Sequence, residues 1–351
     1  MGLAWFANPL LNTHLNAMTL KMKAAFLKAS WMTALRDLEL PEPPAQWVRV
    51  KIEACGICGT DATAIQKATE WQPFGHEIAG VVEAAGAGVT HLAPGTRVVL
   101  ESSSACGVCH RCRNGRPAEC IGHAPNFWGQ PSLGCATHMN APAICCVPYE
   151  GVDPVLAALA EPAGVALDMV HTADIAPGDS VCIVGPGPIA LMALAIAKHR
   201  GATRLACIGR AGNSARFDIA RELGAEVCDI ANTTGLENSF DHLLVTAPPA
   251  TIPPLLPLLT FGGRATYIGI GTGDATLTFD ANDFHLRKLQ LRASYAAPAM
   301  YFPAALGFLK SNAIPGERLV SHRFPLAKIQ DAMNTLRDPK SGAVKVVITN
   351  P

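Results

Sequence analysis

Charge is scarce in this sequence. Acidic and basic residues make up 16% of 351 positions and cancel, 28 against 28, giving a pI near 7.1. Without a basic stripe there is no electrostatic footprint for nucleic acid or an anionic membrane, and neither is expected as a partner. Long uninterrupted apolar runs are missing as well. The apolar pieces within residues 1–21 are broken by Asn8, Asn12, His14 and Asn16 and follow no basic segment. They read as neither a signal peptide nor a membrane span. That stretch is expected to be an N-terminal extension, with Met18 and Met22 as alternative starts. Internal repeats are absent. Outside one cluster, the twelve cysteines follow no pairing pattern, so no disulfide framework is expected and a reducing, cytoplasmic location is.

What remains is apolar and rich in turns: 49% hydrophobic residues, 31 glycines and 27 prolines. That is an α/β composition, and the length suits two domains rather than one small core. From Met22 to Ala160 short runs such as Trp47–Glu53, Ile78–Ala85 and Arg97–Leu100 alternate with Gly/Pro turns, as β-strands do. A helix is expected over Ala157–Ala173. Strands and helices then alternate: Ser180–Val184, Ile189–Arg200, Leu205–Ile208, Ser214–Leu223, Leu243–Thr246, Ala265–Ile268 and Leu289–Ala293. This alternation predicts a parallel, doubly wound sheet. The expected division is an extension over 1–21, a β-rich domain over 22–160, a nucleotide-binding domain over 161–300 and a mixed C-terminal return over 301–351. Cys182, Cys207 and Cys228 lie in strand-like runs and read as small core residues.

One cluster of cysteines stands apart. Cys106, Cys109 and Cys112 are spaced C-x2-C-x2-C, and Cys120 follows. The residues between them are polar and turn-forming, so burial could not hold their shape. Four thiolates on such short loops suit a closed tetrahedral zinc site. A disulfide framework, an iron–sulfur cluster and unrelated core thiols are the alternatives. The fourth spacing and Ile121 after Cys120 fit an iron–sulfur motif poorly.

A second motif is Val181-Cys-Ile-Val-Gly185-Pro186-Gly187-Pro188-Ile189-Ala190, a G-x-G-x-x-A between an apolar strand and an apolar helix. Gly185 permits the tight turn and Gly187 the approach of a pyrophosphate. Pro188 and Ile189 open the helix whose free N–H groups attract phosphate, and Ala190 keeps it close to the sheet. An NAD site carries Asp or Glu at the end of the next strand. Here that strand runs into Gly209, Arg210, Ala211 and Gly212, with no carboxylate before Asp218. A small residue leaves room for a 2′-phosphate and Arg210, assisted by Arg216, could pair with it, which favours NADP over NAD. The alternative is a solvated Arg210 and use of either cofactor.

Upstream lie Cys55-Gly-Ile-Cys58-Gly-Thr60-Asp61 and Gly75-His76-Glu77, and Ala160-Glu161-Pro162 follows. A thiolate, an imidazole and a third ligand would make an open zinc site. Taken in order with the four-cysteine lobe and the G-x-G-x-x-A, these motifs resemble the zinc-dependent medium-chain alcohol dehydrogenases, in their sorbitol and polyol dehydrogenase branch. The resemblance runs from Met22 to the C-terminus. It implies a GroES-like β-rich catalytic domain plus a Rossmann domain, and two zinc ions per chain. It implies Cys58, His76 and Glu161 as catalytic ligands, Glu77 behind the metal, Asp61 orienting the histidine, and Cys55 as a nearby structural thiol. A helix-starting carboxylate is the other reading of Glu161. The implied reaction passes hydride between a secondary alcohol or polyol and the nicotinamide, with zinc lowering the alcohol pKa and Thr60 taking the proton. Thr63 stands where many relatives continue the relay with histidine. Phe127 and Trp128 fall where polyol dehydrogenases place pocket aromatics, though lobe packing explains them equally. Ala296 and Ala297, beside Tyr295, argue against sorbitol dehydrogenase itself. The small-molecule substrate could instead be an amino alcohol or aminocyclitol with NAD as cofactor, and a silent nucleotide-binding relative is a further alternative. A homodimer or homotetramer is expected.

Overall fold

Alternating burial at the centre of one long strand shows how the sequence builds a β-rich half. The computed structural model describes residues 19–350 apart from Ile121, His123, Asn213, Thr272 and Asp274. Of the extension expected over 1–21, residues 1–18 therefore lie outside the described residues. Strands β1 (Leu20–Lys28) and β2 (Met32–Leu40) form an antiparallel hairpin that sequence patterning did not single out. Strand β3 (Trp47–Gly56) alternates inward Val48, Val50, Ile52 and Ala54 with outward residues at its centre. It leads into the Gly59–Lys67 helix. Strands β4 (Gln72–Pro73), β5 (Glu77–Ala85), β6 (Arg97–Leu100), β7 (His138–Pro142) and β8 (Cys146–Pro148) follow, with the four-cysteine lobe inserted between β6 and β7.

The Ala160–Ala173 helix joins the halves. It buries Ala160, Ala163, Ala166 and Val170, and Ala54, Ala79 and Val99 of the β-rich half belong to the same apolar cluster. The expected helix is split: Pro154–Ala157 is a separate short turn begun by an Asp153 cap, Val155 N donating to Asp153 Oδ1 at 2.9 Å.

Strand β9 (Ser180–Val184) and the Pro188–His199 helix open the second half. Strands β10 (Arg204–Gly209), β11 (Glu226–Asp229), β12 (Phe240–Val245), β13 (Leu259–Tyr267) and β14 (Gln290–Ala293) complete a parallel sheet in the order β11-β10-β9-β12-β13-β14. The order reverses between β9 and β12, so the carboxyl ends of these two strands frame a ligand crevice. The Phe302–Lys310 helix still packs here, burying Phe302, Ala305, Leu306 and Leu309 with the linking helix. The chain rejoins the β-rich half only at β15 (Val320–Pro325) and β16 (Lys345–Thr349), later than residue 301, because that helix needs the apolar linking helix to cover it. Strand β16 pairs with β3, and the seven-stranded sheet runs β15-β16-β3-β5-β6-β8 with β7 also on β3.

Candidate active site

Cys58 occupies the N-cap of the Gly59–Lys67 helix. Its N–H donates to Asp61 Oδ2 at 2.9 Å, so the helix start holds both residues. Facing it is His76, 8% exposed, on the loop entering β5. Its Nδ1 is 3.9 Å from Asp61 Oδ1 and its Nε2 3.9 Å from Glu161 Oε1. Ligand atoms of Cys58, His76 and Glu77 all lie within 4.8 Å of one another. Glu161 enters from the first turn of the linking helix.

The electrostatics of this cluster ask for a cation. Burial alone would depress the His76 pKa, yet the Cys58 sulfur, then Glu161 and Asp61, hold it well above its usual value. Burial, with His76 opposing and Glu77 adding, pushes the Glu161 carboxyl up to about 7. Glu77 keeps its Oε2 without a hydrogen-bond partner. That oxygen occupies the space a Cβ on Gly56 would fill, 2.0 Å from it, so Gly56 cannot be replaced without moving the carboxylate. A half-buried thiol, a buried imidazole and carboxylates with an orphaned oxygen are the donor set of a borderline divalent metal such as zinc.

Sequence reading missed the partner of Glu77. Lys345, 3% exposed, reaches in from β16. Its Nζ donates to Glu77 Oε1 and, at 3.0 Å, to Ile57 O. A lysine inside the apolar run Val344–Ile348 was the signal that could have found it. Cys55 is 1% exposed, its sulfur packed against Gly75 and Gly134 in the core.

Above Cys58 and His76 opens a cavity of about 750 Å³ bordered by Thr60, Trp128, Val165, Ile268 and Ser294. The two aromatics of the sequence reading part ways here. Phe127 is fully buried, whereas Trp128 lies 5.6 Å from the His76 ring and lines the cavity. Tyr295, Ala296 and Ala297 line it too. Thr63 turns its hydroxyl back to Gly59 O at 3.1 Å.

A second cleft, about 590 Å³, adjoins the first and shares Cys58, Thr60, Ile189 and Ile268 with it. It runs along Gly187 and Pro188 at the helix start. Gly185 has φ 86° and backs onto Ala247. Thr246 donates to its carbonyl at 2.7 Å, pinning the β9 turn to the end of β12. A Cβ on Gly187 would meet nothing nearer than Gly185 O at 4.0 Å. The space over this helix N-terminus is therefore open to a pyrophosphate. Farther along, Gly209 lies so close to Pro186 that a Cβ would come within 2.5 Å of the ring. No side chain fits there, a carboxylate included. Arg210 lines a third cavity of about 670 Å³ together with Ser214, Arg216 and Lys340. Arg216 is tethered, donating to Ala343 O at 2.9 Å.

None of the four lobe cysteines lines these cavities. Its sulfurs lie within 4.8 Å of one another. Cys109 N donates to Cys106 Sγ at 3.3 Å and Cys106 N to Cys120 Sγ at 3.4 Å. The Val108 and Cys109 amides bring Cys106 down to about 6. Twelve cysteines carry no disulfide among them.

Comparison with known proteins bears on both halves of the chain. The domain model described as the alcohol dehydrogenase GroES-like domain matches residues 44–151, and that of the zinc-binding dehydrogenases matches residues 188–311. An L-arabinitol 4-dehydrogenase of Talaromyces emersonii is 32% identical over 333 residues, covering 86% of this chain and 84% of its own. An L-threonine 3-dehydrogenase of Yersinia pestis (strain Pestoides F) is 29% identical over 346 residues, covering 92% and 97%. Among solved structures, a zinc-binding dehydrogenase of Sinorhizobium meliloti 1021 bound to NADP superposes with a TM-score of 0.83 at 27% identity, covering 94% of this chain and 100% of that one.

Proposed function

The chain belongs to the zinc-dependent medium-chain dehydrogenase family, and from that premise we propose that it exchanges hydride between a secondary alcohol or polyol and NADP(H). The convergence of Cys58, His76 and Glu161 at the floor of the larger cavity, with Glu77 buried beside them, carries this reading. In it, Cys58, His76 and Glu161 hold a catalytic zinc, with Glu77 and Lys345 behind, and Cys106, Cys109, Cys112 and Cys120 hold a second, closed one. Bound zinc supplies a Lewis acid that acidifies the alcohol, and the nicotinamide supplies the hydride acceptor. The chain's own residues do the rest. Asp61 fixes the Cys58 backbone and sets its other oxygen 3.9 Å from His76 Nδ1, a carboxylate beside the imidazole. Lys345 neutralises Glu77, which otherwise adds negative charge beside the ligands. Thr60 borders both the alcohol cavity and the cofactor cleft, a position from which its hydroxyl can take the alcohol proton and pass it on. Trp128 covers His76 and keeps one side of the floor dry.

For the cofactor, Gly209 against Pro186 leaves no place for the carboxylate that holds an NAD ribose, and Arg210 stands next to it. NADP is the better fit. An NAD-dependent amino-alcohol dehydrogenase is the second reading, favoured by the L-threonine 3-dehydrogenase relative. One experiment addresses the whole assignment: metal analysis with initial rates for polyols, diols and amino alcohols against both cofactors. Two zinc ions per chain and a polyol oxidised faster with NADP are expected. One zinc and no alcohol turnover would defeat it.

A further inference from the structure

The far wall of the alcohol cavity takes no part in the chemistry proposed above. Ser294, 7% exposed, follows the edge strand β14 and faces the helix that carries Glu161. Its hydroxyl donates to Asp168 Oδ2 at 2.5 Å. Asp168 stands two turns beyond Glu161 along that helix. A hydroxyl has one proton and two lone pairs. With the proton committed to a carboxylate, Ser294 offers the cavity only lone pairs, and a negative charge lies directly behind them. Ser102, Ser103, Asn126 and Tyr295 continue the wall, and among the described residues no Lys or Arg lines the cavity. Asn126 serves its own loop, donating to Ala124 O at 3.1 Å and accepting from Trp128 N at 3.0 Å.

We infer that Ser294, held by Asp168, selects substrates that bring a hydrogen-bond donor to this wall, a hydroxyl or an ammonium, and rejects those that bring a carboxylate or phosphate there. The inference rests on the alcohol dehydrogenase reading and deepens it. A polyol hydroxyl or an amino-alcohol ammonium would extend the chain of donors that ends on Asp168. An anion at this wall would lose its hydration, meet lone pairs and a carboxylate, and find no Lys or Arg among the cavity-lining residues to offset either. A polyol fits such a wall. An amino acid substrate, whose carboxylate must be seated, does not.

Matched pairs test this with the zinc-loaded full chain and both cofactors: L-arabinitol against L-arabinonate, and 1-amino-2-propanol against L-threonine, with 2-propanol as reference. Each donor-bearing member should exceed its carboxylate counterpart in kcat/KM by about a hundredfold. Dissociation constants from calorimetry should fall in the same order, independently of turnover. Equal or reversed preference, with 2-propanol oxidised, overturns the inference and leaves the dehydrogenase reading standing. No turnover of any alcohol, 2-propanol included, overturns both. Ser294→Ala should lower the ratio of kcat/KM for L-arabinitol over 2-propanol about tenfold. Asp168 is a positioning residue, and Asp168→Asn separates that role from a structural one. The amide can donate to Ser294 and release its proton toward the cavity, so the gap between L-arabinitol and L-arabinonate should narrow. A uniform loss for both would show Asp168 to be structural only.

Discussion

Two regions of this chain gather metal-type donors, and they do so in opposite ways. The lobe draws four sulfurs from Cys106 to Cys120, on loops that hydrogen-bond to their own sulfurs. Everything it needs is local. The cleft collects Cys58 from a helix start, His76 and Glu77 from the entry to β5, and Glu161 from the linking helix. It then requires Lys345 from β16 to balance Glu77. A closed set of four can be built by turns alone. A set that leaves one face to a substrate has to be supported by the whole fold, and its excess charge has to be met by residues far away in sequence.

That contrast can be broken by experiment. Cys58→Ala should reduce turnover by about a thousandfold, some 4 kcal/mol of barrier, while the circular dichroism spectrum and the lobe's zinc persist. Retained activity would remove the cleft from the chemistry. Lys345→Met should cost at least about 3 kcal/mol in urea unfolding, because it leaves Glu77 buried and uncompensated. Lys345→Met with Glu77→Gln should recover most of that loss, and no recovery would mean the pair is not the reason for it. Cys109→Ser should lower the melting temperature by roughly 5 °C and release one zinc per chain. The contrast fails if kcat falls with it as far as in Cys58→Ala.

The smallest effect is expected at Glu101, at the root of the lobe. Burial pushes its carboxyl up to about 7, opposed by a hydrogen bond from Ser104. A folded-state value above the unfolded one means its contribution is present at low pH and disappears as pH rises from about 4.5 to 7. Glu101→Gln should therefore flatten the stability profile over that window, gaining on the order of 2 kcal/mol at pH 8 relative to the wild type. An unchanged profile would show that Glu101 ionises freely in the fold.

The lobe and the glycine turn were legible in the sequence because each is a short-range motif. Spacing alone presents Cys106–Cys120 as a set, and a strand, two glycines and an apolar helix presented the turn at Gly185. Alternating strands and helices likewise announced the parallel sheet. What stayed hidden depends on distant contacts. The Lys345–Glu77 pair spans 268 residues and Ser294–Asp168 spans 126. The place of Gly209 against Pro186 is a property of two turns meeting, which no local pattern carries. Phe127 and Trp128 could not be told apart because neighbours in sequence point to opposite sides of one loop. The Gly59–Lys67 helix escaped notice because it is short and buries only Asp61 and Ile65.

The late position of Lys345 also bears on how the protein is made. A ribosome releases Gly56, Cys58, His76 and Glu77 well before the strand that neutralises Glu77, whose Lys345 follows 268 residues after it. Until β16 docks on β3, the nascent β-rich half carries a carboxylate that water, not lysine, must satisfy. Domain-by-domain folding during synthesis is thus open to the nucleotide-binding half, whose sheet is contiguous from Ser180 to Ala293, but not to the half that houses the proposed chemistry. Of these two halves, the β-rich one is begun before the other and finished after it.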